Sequence, residues 1–135
     1  HSYSSAASDV YKRQLMSPVK TIILDIDGTL IEHKGTLSEV VNTSSPEDQA
    51  LDGTVDKMDE WDSKGYNIVL ITGRRESSRA FTEKQLADMN IFYDQLIMGV
   101  GGGERHLIND RKPDGTKTSY AHNLVRNKGI KNLKI

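Results

Sequence analysis

The chain has 135 residues, 36% hydrophobic and 27% charged, with 18 basic against 19 acidic side chains, a formal charge of −1 and no cysteine. That length holds one domain with a buried core and not two; the near-neutral balance leaves no basic footprint for nucleic acid, and the lack of cysteine excludes a disulfide framework or a thiolate zinc site. No apolar run approaches the roughly 20 residues needed to cross a bilayer, so the expectation is a cytoplasmic monomer or small homo-oligomer with no membrane partner.

Residues 1–15, HSYSSAASDVYKRQL, are small, serine-rich and mixed in charge, with no apolar stretch of the secretory type. They read as a disordered or non-native leader, with Met16 opening a single domain over 16–135. The first strand is predicted from Val19 to Asp27. Its apolar run delivers Asp25 and Asp27 to a turn that Gly28 makes easy. Carboxylates two apart at the end of a buried strand share one face, and burying them is costly unless a cation or a reaction occupies the site. The pattern points to a metal-assisted active site.

The stretch 28–40 reads as a hairpin flap around His33, Lys34 and Gly35, and 42–53 as a loop. Thr54 fits a helix N-cap, with Val55, Met58 and Trp61 at helical spacing and Gly65 as the stop. A second strand follows at Asn67 to Thr72, then Gly73 and Arg74. Glu76 to Asn90 is predicted as an amphipathic helix buried through Ala80, Phe81, Leu86 and Met89, where Arg74, Arg75 and Arg79 sit on a solvated face. Phe92 to Met98 is the third strand. The glycine-rich stretch Gly99 to Gly103 is a flexible crossover, since Glu104 follows where a dinucleotide fingerprint needs another pattern. His106 to Asp110 is predicted as a fourth strand, RKPDG as a turn, Thr118 to Asn127 as a last helix and 130–135 as an edge strand; His106 and His122 read as structural. Strands alternating with helices imply an α/β, doubly wound, mainly parallel sheet with helices on both faces, and ligands bind such sheets at the carboxyl ends of the strands.

Three segments place polar residues at those ends: Asp25-Ile26-Asp27-Gly28-Thr29, Ile71-Thr72-Gly73-Arg74, and Asn109-Asp110 with Asp114 beyond. Together they resemble motifs of the haloacid dehalogenase-like superfamily, over about Val19 to Gly115. The resemblance implies a Rossmann-like core and a phosphatase that hydrolyses a phosphomonoester through an aspartyl-phosphate. Asp25 would be the nucleophile and a Mg2+ ligand; Asp27 would be the acid and base and would lend its main-chain carbonyl to the metal. Asp110 would be the third protein ligand to magnesium, Thr72 and Gly73 would bind phosphate oxygens, and Arg74, Asn109 and Asp114 would support them. The second aspartate argues for phosphate chemistry over dehalogenation.

Two departures from the family pattern stand out. Asn109 replaces an acid. No lysine precedes the fourth motif: Arg105 would lie at the far end of the fourth strand, about 15 Å away at roughly 3.3 Å per residue, so Lys112 is the expected phosphate-binding cation. Residues 31–66 hold no inserted cap, which fits a phosphosugar or larger phosphorylated substrate, or a homo-oligomer whose neighbour closes the site. The alternative reading is a non-catalytic phospho-ligand-binding or regulatory module; a phosphotransferase would share the first half-reaction.

Overall fold

A computed structural model describes residues 19–35 and 50–135. The expected leader, the far arm of the flap (36–40) and most of the loop before Thr54 lie outside them. Strands β1 (Thr21–Asp25), β2 (Asn67–Ile71) and β3 (Gln95–Ile97) form a parallel sheet in that spatial order. Helix α1 (Thr54–Ser63) links the first two, and a 3-10 turn at Glu76–Ser78 running into α2 (Arg79–Asp88) links the last two. The register sets Asp25 opposite Ile71 and Ile71 opposite Ile97. The chain therefore leaves β1 and β2 at the same level, which brings Asp27 and Thr72-Gly73-Arg74 to one end of the sheet.

The sheet has one dry face. Ile22, Leu24, Ile68, Leu70 and Leu96 are buried against Met58, Trp61, Leu86 and Met89, while Ile23 and Ile97 on the opposite face are 49% and 43% exposed. Both crossovers step in the same direction, and right-handed crossovers of that kind put both helices on one side. The expectation of helices on both faces is corrected here: strand order never reverses among the described residues.

Helix α1 buries Thr54, Met58 and Trp61, an i, i+4, i+7 stripe, and Val55 is 43% exposed instead. Thr54 does not cap the helix; Gly53 precedes it with φ 83°, and the Thr54 hydroxyl donates to the Leu30 carbonyl at 2.8 Å. That bond ties α1 to the turn after β1. Helix α2 buries Thr82, Gln85 and Leu86 rather than Ala80 and Phe81, because its inner face meets a charged side chain described below.

The C-terminal third departs most from expectation. No strand forms at 106–110 or 130–135 and no helix at 118–127. HLIND has only two apolar residues, adjacent and so pointing to opposite faces of any strand; Leu107 is 60% and Ile108 93% exposed. The glycines ahead of it offer no side chain to seat it, with nothing within 4 Å of a Cβ built at Gly101, Gly102 or Gly103. The predicted turn does form, with Lys112 N–H donating to Thr116 at 3.0 Å and Gly115 N–H to Lys112 at 2.8 Å. His106 and His122 are exposed rather than structural. The chain returns to the core at Ile130, which is buried, where the N–H groups of Ile130 and Lys131 both donate to the Asp52 carbonyl (2.9 and 3.2 Å).

Candidate phosphoryl-binding site

The turn after β1 is drawn tight by Ile26, whose carbonyl accepts from the N–H groups of Thr29, Leu30 and Ile31. Ile26, Leu30 and Ile31 are fully buried, so the apolar side chains of this turn anchor it from below. Asp25 and Asp27 are left facing a cavity of about 420 Å3. Gly73, Arg74, Arg75 and Ser78 line it from the exit of β2, and His33, Lys34 and Gly35 from the flap. Gly102, Arg105 and Arg126 complete it from the C-terminal third.

Arg74 organises the floor. It is only 7% exposed, and its Nε and one Nη donate to the two carboxylate oxygens of Asp27 at 2.9 and 2.8 Å. The other Nη donates to Thr82 Oγ1 at 3.1 Å and Gln85 Oε1 at 2.8 Å. Four of the five guanidinium N–H groups are thus bonded, which is how a buried cation is made tolerable. This accounts for the polar inner face of α2. The expectation of a solvated Arg74 is corrected: after an apolar strand, at the same end as a D-x-D turn, the arginine goes inward to the carboxylate. Thr72 is buried behind it, its hydroxyl accepting the Arg74 N–H at 3.1 Å, so that oxygen faces its own loop; Gly73 is exposed at the pocket.

Asp25 carries a second arginine. Arg105 Nη1 lies 3.1 Å from Asp25 Oδ1, which overturns the placement of Arg105 far from the site. That placement required a fourth strand to carry residue 105 away, and the strand is absent. Asn109, Asp110, Lys112 and Asp114 are all exposed and outside the pocket lining. Asn109 Nδ2 donates to Thr118 Oγ1 at 2.6 Å, and the Thr118 hydroxyl donates to the Asp110 carbonyl. Asp114 accepts the Thr116 N–H at 2.9 Å, and that bond, before any other influence, holds its carboxyl below the usual range.

The expected magnesium site can be tested against these donors. Magnesium takes oxygen ligands in near-octahedral array, with one or two carboxylates, water and substrate phosphate. Among the described residues no three acidic or imidazole side chains gather as a metal cluster. Of the three expected protein ligands, Asp25 has one carboxylate oxygen paired with Arg105, and Asp110 lies outside the pocket lining. This arrangement does not fit a resident magnesium ion held by three protein ligands.

The positive charge comes instead from side chains, with Lys34, Arg74, Arg75, Arg105 and Arg126 lining the cavity against two carboxylates. Arg75 and Arg126 have no acidic partner among the described residues. Guanidinium groups present forked donors of a geometry that suits phosphate, and here they share one pocket with two carboxylates. Arg105 and Arg126 are the residues that sequence reasoning set aside or missed. Both lie in the stretch where no regular element forms, and their spacing carried no signal.

A chain from a crystal structure of a Vibrio cholerae protein is 22% identical, with a TM-score of 0.42 over 70% of this chain and 82% of that one. The protein retinal degeneration B of Drosophila melanogaster is 32% identical over 122 residues, which is 90% of this chain and 9% of that protein's length. The family model "PITM 1-3, LNS2 domain" matches residues 22–134, and that domain is of the haloacid dehalogenase-like, phosphatase type. No helix among the described residues is long and apolar enough to cross a membrane. With nearly its whole length matched, the chain belongs to the PITM 1-3 LNS2 domain family.

Proposed function

We propose that this domain is a phosphomonoester hydrolase acting through Asp25 on a phosphosugar or a larger phosphorylated substrate. The observation that carries the reading is the position of Asp25, at the carboxyl end of β1 and on the wall of a cavity lined by five cationic side chains. A carboxylate and a phosphate repel each other, and fixed guanidinium groups are what allows them to approach. An Asp25 oxygen attacks phosphorus, the bond to the ester oxygen breaks, and the departing oxygen takes a proton. Water then cleaves the aspartyl-phosphate, releasing phosphate and restoring the carboxylate. Asp27 is the other acid lining the cavity, and it would carry the proton, taken up from solvent, on an oxygen freed from one of its two bonds to Arg74. The Gly73 N–H, Arg75 and Arg105 would hold phosphoryl oxygens.

A second reading has its own observation. Both site carboxylates are paired with arginine, an arrangement equally suited to a module that binds a phosphorylated ligand and leaves it intact. Hydrolysis of an aryl phosphate decides between them, assayed with magnesium, with a chelator, and in Asp25→Asn and Asp27→Asn. Turnover that disappears in Asp25→Asn supports the hydrolase. Phosphate binding without turnover in the wild type supports the binding module. The magnesium and chelator arms show whether the metal implied by the resemblance has any part in the activity.

A further inference from the structure

In a metal-centred phosphoryl site the divalent cation bridges a carboxylate to a phosphoryl oxygen and draws separate segments of chain onto one point. Both tasks fall to protein groups in this pocket. Arg105 Nη1 lies 3.1 Å from Asp25 Oδ1, and that carboxylate is the only partner of the guanidinium among the described residues. The Arg105 and Asp25 side chains are 33% and 36% exposed, so the pair stays open to a ligand. With five donors in a planar fork, one guanidinium can hold a carboxylate on one edge and a phosphoryl oxygen on another.

The segments are also gathered by their own atoms. Asn127 adopts φ 62°; its N–H donates to the Gly28 carbonyl at 2.9 Å, its Oδ1 accepts the His33 N–H at 2.7 Å, and its Nδ2 donates to the His33 carbonyl at 3.3 Å. Those bonds seat the C-terminal stretch on the turn after β1, where the stem of Arg126 passes Gly28. Arg74 ties the exit of β2 to Asp27 from below. Three stretches of chain thus meet at the cavity through hydrogen bonds and ion pairs.

The field in the cavity favours an anion over a cation, since five cationic side chains line it against two carboxylates. A phosphate dianion is drawn into such an excess of positive charge, and a divalent cation is repelled by it. We infer that this pocket binds a phosphoryl group without a divalent metal, and that Arg105 supplies at Asp25 the bridging charge a metal would supply. This rests on the reading of the pocket as a phosphoryl site, but it requires binding only and not hydrolysis.

The test is calorimetric titration with inorganic phosphate, in chelator and in magnesium, of the wild-type chain, Arg105→Ala, Arg105→Gln and Lys112→Ala. Electron paramagnetic resonance follows uptake of Mn2+ by the wild type in the presence of phosphate. The expected wild-type affinity is the same in chelator and in magnesium, with Mn2+ left in solution. In chelator Arg105→Ala weakens binding about tenfold or more, which is about the worth of one charge-assisted contact. Arg105→Gln, which keeps the stem and drops the charge, repeats that loss, and Lys112→Ala, outside the pocket lining, binds as the wild type does. Wild-type binding that vanishes in chelator, stoichiometric uptake of Mn2+, no phosphate binding in either condition, or chelator binding unaltered in both Arg105 variants overturns the inference. Metal-free binding governed by Arg105, with no phosphate released from an aryl phosphate, sinks the hydrolase reading and leaves this one standing; aryl phosphate turnover that stops in chelator does the reverse.

Discussion

Arg74 and Asp27 form a forked pair, two parallel N–H to oxygen bonds of 2.9 and 2.8 Å, in which the arginine side chain is 4% exposed and the aspartate 22%. The pair joins the turn after β1 to the exit of β2, and through Thr82 and Gln85 to α2. Arg74→Ala removes the cation and leaves a half-buried carboxylate and two buried polar side chains without it. The expected loss is about 2–3 kcal/mol, below the full cost of breaking a deeply buried pair because Asp27 still meets water. Urea unfolding measures it. Arg74→Lys recovers little, since a point charge cannot replace the fork.

The glycines at 28 and 129 both sit at positive φ, but a methyl group meets different obstacles at the two. At Gly28 it meets the flexible stem of Arg126 at 3.2 Å, and at Gly129 the Asp52 carbonyl oxygen at 2.2 Å. Gly28→Ala is expected to cost about 1–2 kcal/mol, the conformational strain of a left-handed alanine. Gly129→Ala is expected to cost about 3 kcal/mol or more, because backbone cannot step aside. Thermal unfolding that ranks the two the other way would contradict the described contact between residues 52 and 129.

Asn127 offers a cleaner dissection. Asn127→Gly keeps the left-handed backbone and loses two side-chain hydrogen bonds, for an expected cost of about 1–2 kcal/mol; Asn127→Ala adds the strain of a left-handed alanine and costs more. Both variants retain every charge in the pocket. Urea unfolding of the two variants beside the wild type checks the order.

Asp114 sets an acid-side expectation. Its carboxyl is held below the ordinary value, first by the backbone N–H of Thr116. A depressed folded value contributes stability that is present above the unfolded value and lost as pH falls through the folded one. Carbon-13 titration is expected to give Asp114 a midpoint below that of an unstructured aspartate, and a midpoint at or above it would mean that the Thr116 bond is not kept in solution.

The first two thirds of the fold were legible because hydrophobic burial there follows a clear period. Asn67–Ile71 and Thr21–Asp25 are apolar runs that end in turn residues, and Met58 and Trp61 fall on one stripe of α1. The reading failed where charge replaces apolar contact. Thr82 and Gln85 are buried because they serve Arg74, and no hydropathy pattern reports that. It failed again after Gly99, where Leu107 with Ile108 and Leu124 with Val125 are adjacent apolar pairs that suit neither a half-buried strand nor a helical stripe. Asp25, Asp27 and Gly73 were visible as candidates from local chemistry alone. Arg105 was weighed and set aside for Lys112, and Arg126 was missed, since their places depend on how an irregular segment crosses back over the first turn.

That return crossing bears on the order in which the molecule is built. His33 and Asn127 are 94 residues apart in sequence, whereas the parallel pairing of β1 with β2 joins residues about half as distant. Contacts that close long loops form late, and during synthesis the N-terminal part emerges and organises first. A nascent chain that has released β1, β2 and β3 already displays Asp25 and Asp27, but it lacks the arginine and the asparagine that finish the wall above them. The wall above the two aspartates is thus complete only once residues 126 and 127 have been made and have docked.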